Sequence, residues 1–216
     1  MVAQVEIETA HGLARVHLPK VVKPRALLVL GHGAGGSVEA PDLQVAARVA
    51  TGLSLAVALV EQPYRVAGRR SPPPAAHLDA AWLTVLAALR RGPLRKLTLI
   101  AGGRSSGARV ACRTAKESGA AAVLCLAFPL RPPRRSGGAE PPSRQSELDA
   151  VTVPLLVVQG AGDPFGVPRS RGHRTVVVVG GNHSLRGGLP ALGEAVEQWL
   201  QAVLSEPSAP AASEAG

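Results

Sequence analysis

Six short runs of uninterrupted apolar residues recur along this chain: Ala26–Leu30, Leu55–Val60, Leu97–Ala101, Ala121–Ala127, Pro154–Gln159 and Thr175–Val179. All are rich in Val, Leu or Ala and bounded by glycine or proline. A strand with one wet face alternates polar and apolar residues, so short unbroken runs indicate strands buried on both faces. Between the runs lie segments of helical period. Leu43–Thr51, His77–Arg91 and Ser106–Ser118 are each stopped by a glycine, and Leu189–Leu204 closes the series. Such alternation predicts an α/β fold: a mostly parallel central sheet with helices on both faces. Val2–Thr9 and Leu13–Leu18 alternate around His11-Gly12 and predict an antiparallel hairpin ahead of it. The connection Leu130–Asp149 holds too much proline and glycine for a full crossover helix, so a long loop with at most one short helix near Gln145–Asp149 is expected. No insertion is large enough for a lid. The 216 residues read as a single domain over 1–204 with a disordered Pro/Ala/Ser tail over 205–216.

A formal charge of +9 could suggest nucleic acid or an anionic membrane as partner. Only four of the 24 basic residues are lysine, however, and the arginines are scattered. Together with heavy use of Ala, Gly, Pro and Val, that pattern reads as a GC-rich bacterial coding bias. Neither nucleic acid nor membrane is expected to bind, and the oligomeric state is open. Cys112 and Cys125 fall in an expected helix and strand and read as small buried hydrophobes. No signal-peptide pattern opens the chain, and no segment approaches the roughly 18 apolar residues of a membrane span. A reducing, cytoplasmic setting is expected.

The turn "GHGAGG", Gly31–Gly36, admits three chemistries. Gly31, Gly33 and Gly36 fit G-x-G-x-x-G, with Glu61 near the place of a ribose-binding acid. The segment nearly fits a phosphate loop as well, but the lysine is missing. The third reading is an oxyanion loop, and the rest of the chain decides for it. After the run Leu97–Ala101 comes Gly103-Arg104-Ser105-Ser106-Gly107, a G-x-S-x-G in strand–turn–helix context. Gly103 and Gly107 leave room for a tight elbow at Ser105, whereas Ser106 is flanked by Arg104 and Ala108. A serine hydroxyl needs a base, and the base needs a carboxylate. Asp163 lies just past one strand end and His183 past the last, in the chain order Ser, acid, His. Asp149 and His173 precede their strands and are expected at the opposite edge. The catalytic candidates are therefore Ser105, Asp163 and His183, with the Ala34 and Ser106 amides as oxyanion donors and Gly35 as second choice. His32 is expected to brace the turn. The dinucleotide reading explains none of the three candidates.

Around the expected site, Tyr64, Phe128 and Phe165 fall just past strand ends, and they either line a shallow acyl or aryl pocket or pack the loops. Arg104 occupies the variable elbow position, and Arg65, Arg69 and Arg70 follow another strand; these either receive a substrate carboxylate or tie loops together. No Cys/His/Asp spacing suggests a metal, and no cofactor is expected.

The segments "GHGAGG" (31–36), "PYRVAGRRSP" (63–72), "GGRSSGAR" (102–109), "FPLRPP" (128–133) and "GAGDPFG" (160–166) resemble the α/β-hydrolase superfamily, in particular its small lidless members similar to dienelactone hydrolases. They look closer still to the group of the testis-expressed protein and the NSL-complex subunit. This chain carries Ser106 where methionine is common there. The resemblance implies the α/β-hydrolase fold and the triad layout. Two functions follow: a serine hydrolase of a small ester or thioester working through an acyl-enzyme, or a non-catalytic α/β-hydrolase-like binding or scaffold module.

Overall fold

The computed structural model describes residues 2–19, 21–132 and 141–205. Strands β1 (Val2–Thr9) and β2 (Gly12–Pro19) pair antiparallel along their whole length, from Val2 opposite Pro19 to Thr9 opposite Gly12. Six further strands follow: β3 (Ala26–Gly31), β4 (Ala56–Glu61), β5 (Thr98–Arg104), β6 (Ala122–Leu126), β7 (Leu155–Gly160) and β8 (Arg174–Val179). They form one sheet in the order β1-β2-β4-β3-β5-β6-β7-β8. The hairpin joins through an antiparallel contact of β2 with β4, and β3 to β8 are parallel throughout. Strands β3, β6 and β7 are buried at every position, as their continuous apolar runs require.

Both faces are covered. Helices α3 (Ala75–Leu89), α4 (Ser106–Ser118) and α5 (Gln145–Asp149) contribute Trp82, Leu86, Val110 and Leu148 to one core layer. On the other face α1 (Pro41–Gly52) and α6 (Leu189–Ser205) supply Leu43, Ala46, Leu192, Val196 and Leu200. Leu28, Leu30 and Ile100 point to this second layer while Leu27, Val29 and Ala101 point to the first, the period-two alternation of a strand sandwiched between helices.

Strand β5 continues to Arg104, past the expected end at Ala101. Gly102 and Gly103 keep the ladder with Leu124 and Cys125 of β6, and a Cβ on Gly102 would lie 2.6 Å from the Leu124 carbonyl oxygen. The four-residue helix α2 (Pro63–Val66) was not anticipated, being too short to show a period. The expected short helix at Gln145–Asp149 is present as α5, while residues 133–140 of that connection lie outside the described residues. Helix α6 includes Ser205, the first residue of the expected tail; 206–216 also lie outside them. Among the described residues no helix is long and apolar enough to cross a membrane.

Candidate active site

The parallel strands all end at one rim of the sheet, and β5, β7 and β8 each lead there into a loop carrying a polar side chain. Between β5 and α4 the chain reverses within one residue. Ser105 adopts φ 52° and ψ −109°, its amide donates to the Leu126 carbonyl at 2.9 Å, and its own carbonyl accepts the Arg109 amide at 3.2 Å to start α4. A non-glycine residue held at positive φ costs about 1–3 kcal/mol and persists only where its surroundings impose it. Here they do. A Cβ at Gly103 would lie 2.6 Å from the Gly31 carbonyl oxygen, and one at Gly107 would stand 2.6 Å from the Gly31 carbonyl carbon. The two glycines let α4 pack backbone to backbone against the end of β3 and force the turn onto Ser105.

The loops after β7 and β8 are laced together by two backbone bonds, Ala161 N–H to Val179 O and Gly162 N–H to Gly181 O, both 2.9 Å. Gly160 lacks a Cβ that would run into Asn182 backbone, and Gly181 has φ 100°. This close approach brings His183 to Asp163. His183 Nδ1 lies 2.8 Å from Asp163 Oδ2, and His183 Nε2 lies 2.9 Å from Ser105 Oγ. An ionised carboxylate can only accept, so Nδ1 carries the proton and Nε2 is left to accept from the serine hydroxyl. The Asp163 side chain is fully buried and both oxygens are engaged: Oδ2 also accepts from Gln159 Nε2 at 2.7 Å, and Oδ1 accepts the Phe165 amide at 2.9 Å. Gln159 Nε2 reaches the Phe128 and Gly166 carbonyls as well, tying β7 to the loops on either side. The Phe165 ring stands edge-on to the imidazole, centroids 4.5 Å apart.

Gly33 brings the β3–α1 loop against the serine: a Cβ there would be 3.3 Å from Ser105 Cβ. His32, 2 % exposed, holds this loop. Its Nδ1 donates to the Gly33 carbonyl at 2.8 Å, and its Nε2 accepts the Gln62 amide at 3.0 Å, so the ring is a neutral Nδ1–H tautomer. Burial lowers its pKa below the ordinary histidine value, partly opposed by the Gly33 carbonyl. The Gly35 amide faces the Tyr64 hydroxyl, whose pKa burial raises. Neither the Ala34 nor the Ser106 amide finds an acceptor among the described residues, Ser106 because it opens α4.

Several expected positions serve the scaffold instead. Phe128 is wholly buried in the core layer under α3 and α4; Ala127 before it takes φ 49° and turns the chain inward, so Phe128 lines no pocket. Tyr64 is 3 % exposed and packs edge-on to His32. Arg104, considered for substrate carboxylates, donates from Nε to Asp42 Oδ2 at 3.1 Å and from an Nη2 to the His183 carbonyl at 2.9 Å. Arg65 closes its own loop on the Arg69 carbonyl. Glu61, where a ribose-binding acid would stand, pairs with Arg15 of β2. Asp149 and His173 lie at the opposite edge, Asp149 paired with Arg174 at 2.8 Å and His173 bonded to the Val151 carbonyl. Cys112 and Cys125 are buried free thiols with sulfurs 3.4 Å apart. Among the described residues no group of three His, Cys, Asp or Glu side chains could hold a metal ion.

Gln159 and Asp42 escaped the sequence reading. A glutamine inside the run "PLLVVQG" is a polar residue at a position buried on both faces, which is a usable signal; Asp42 looks like an ordinary acid in the first turn of a helix.

This layout is that of an α/β hydrolase without a lid. The chain belongs to the alpha/beta hydrolase domain family, whose profile matches residues 24–209. Comparison with curated protein sequences found no match. Among solved structures it is similar to an α/β serine hydrolase without lid from Xanthomonas campestris, with 19% identity, TM-score 0.75, and 95% of this chain and 96% of that one covered. It is similar also to the dienelactone hydrolase of Anabaena variabilis, with 18% identity, TM-score 0.74 and 94% and 97% covered. Est1E from Butyrivibrio proteoclasticus gives 14% identity, TM-score 0.74 and 94% and 99% covered. At these identities the likeness is one of fold.

Proposed function

We propose that the protein is a serine hydrolase acting on a small ester or thioester. The observation that carries this reading is the unbroken hydrogen-bonded chain Asp163–His183–Ser105 ending on a serine in a strained turn. A binding scaffold has no need of a backbone held at positive φ beneath an aligned base. Ser105 Oγ attacks the substrate carbonyl carbon while His183 Nε2 takes its proton, and the carbonyl π pair moves onto oxygen. The unpaired Ala34 and Ser106 amides are the donors for that oxyanion. Collapse of the intermediate expels the alcohol or thiol, which receives the proton from His183 and leaves an acyl group on Ser105. Water then repeats the sequence, releasing the acid and restoring the serine. The buried Asp163 carboxylate holds the imidazole in the Nδ1–H tautomer and offsets its charge while it carries both protons. The absence of a lid fold favours small soluble substrates over long lipids, and Phe165 beside His183 is the apolar surface for their acyl or aryl part. The kinship with the testis-expressed and NSL-subunit group, carried by the Pro-Tyr-Arg and Gly-Arg-Arg segment, belongs to the same proposal.

A fluorophosphonate probe tests the reading directly. Wild-type protein is expected to form one covalent adduct at Ser105; Ser105→Ala abolishes it and Ser106→Ala leaves it. An adduct mapped to Ser106, or none on folded wild type, refutes the assignment.

A further inference from the structure

Arg104 stands at a variable place in the elbow, yet its guanidinium touches three separate parts of the site. Nε donates to Asp42 Oδ2 in the first turn of α1, and Nη2 donates to the carbonyl of His183 itself. Nη1 occupies the space above Gly33, 2.8 Å from where a Cβ there would sit. Asp42 is 1 % exposed and its other oxygen accepts the Leu43 amide, so the anchor for Arg104 is fixed by the backbone of α1. The loop bearing His183 is otherwise held on the Asp163 side through the Gly162–Gly181 bond. On the serine side, His183 is held by its contact with Ser105 and by Arg104.

The geometry points to Arg104, clamped by Asp42, as a positioning residue that sets the His183 loop and the Gly33 oxyanion loop against the same nucleophile. The inference rests on the hydrolase reading of the site. A planar guanidinium suits the task because its fork aims two donors at fixed angles, one at a carboxylate and one at a carbonyl, whereas an ammonium is a single freely rotating donor centre without that fork. Arg104 touches no reacting atom. Without it His183 keeps its partner Asp163 but loses the constraint that points Nε2 at Ser105 Oγ, and the floor under Gly33 is lost together with it. Misplacement by about 1 Å can cost on the order of 10²-fold in rate.

Removing Arg104 alone leaves a buried carboxylate without its cation and can unfold the protein, so the decisive variant is Asp42→Asn/Arg104→Met, with Asp42→Asn alone and Arg104→Lys beside it. Hydrolysis of p-nitrophenyl acetate gives kcat and KM, and proton NMR at low field follows the Nδ1–H of His183. The double variant is expected to melt cooperatively, lose about 10²-fold in kcat with KM within about twofold, and broaden or shift the low-field resonance. Asp42→Asn loses less, and Arg104→Lys recovers only part of the loss. Wild-type kcat with an unchanged resonance overturns the inference, as does a fall in kcat that leaves the resonance in place. If wild-type protein neither hydrolyses the ester nor takes up a fluorophosphonate, the hydrolase reading fails, and the resonance in the double variant still decides whether Arg104 positions His183.

Discussion

Ser105, Asp163 and His183 are 58 and 20 residues apart along the chain, and each is polar in a setting that penalises polar groups. Asp163 shows how that penalty is met. Its carboxylate is buried, and three donors, from Gln159, Phe165 and His183, replace its water. Asp163→Asn preserves shape but offers an amide N–H where Nδ1–H needs an acceptor, so the imidazole is driven to the other tautomer. Turnover of p-nitrophenyl acetate is expected to fall by on the order of 10³–10⁴ with the fold intact by circular dichroism. Asp149 is the contrasting carboxylate. The Arg174 guanidinium, helped by the Gln145 amide, holds its carboxyl below the usual range, and its side chain is 39% exposed at the far edge of the sheet. Asp149→Asn should leave kcat within about twofold; the reverse ranking of the two variants would place the acid on the wrong side of the strand. Chain order and strand ends made these residues legible, because both are properties of a linear text. The Asp42–Arg104 pair was not, since it depends on which side chains face each other across α1 and β5, and Gln159 showed only as a polar letter in an apolar run, without the partner it would meet.

At the scale of elements, the elbow exists because three backbones meet where no side chain fits. Gly107 abuts the carbonyls of Gly31 and His32, and backbone cannot retreat from an added methyl. Gly107→Ala is expected to destabilise by about 3 kcal/mol or more and to suppress fluorophosphonate labelling, because α4 must move off β3. Gly52 closes α1 with nothing within 4 Å of its missing Cβ, and Gly52→Ala should be neutral or stabilising by about 0.5 kcal/mol. Urea titration separates the two; equal effects would mean that close packing does not set the turn. The same steric logic explains what periodicity reached and what it missed. The apolar runs located the cores of the six parallel strands, but β5 outlived its run because Gly102 and Gly103 lie between β3 and β6, where bulk is forbidden. A run of glycines reads as a break in a sequence and serves here as continuous sheet.

Over the whole molecule, the sheet divides two apolar layers, and charged side chains tie the covering helices together in networks. Arg113 joins Asp79 of α3 to Glu147 of α5, while Arg109 reaches Glu147 as well, so three helices on one face share a single network. His32 is the comparable joint at the site, linking the loop after β3 to the one after β4 through one neutral ring. Its pKa lies below the ordinary value, mainly because burial disfavours the cation. In the unfolded chain it titrates near the reference value of about 6.5. Between these two values the unfolded state holds a proton that the folded state refuses, so the stabilisation is fully present above about pH 7.5 and is lost as pH falls through about 6.5 towards the folded pKa. Asp42 acts in the opposite sense, since burial raises its pKa and the folded state holds its proton longer; its window begins near the carboxylate range, below that of His32. Comparison with a variant that lacks only this imidazole isolates its contribution. Unfolding free energies of wild type and His32→Gln, measured by urea titration at closely spaced pH between about 8 and 5, should therefore converge as the pH drops. The gap should narrow by at most about 1.4 kcal/mol per pH unit, the limit for one proton. A gap constant across that range would mean that His32 accepts a proton in place, and the neutral Nδ1–H brace between the two loops would have to be abandoned.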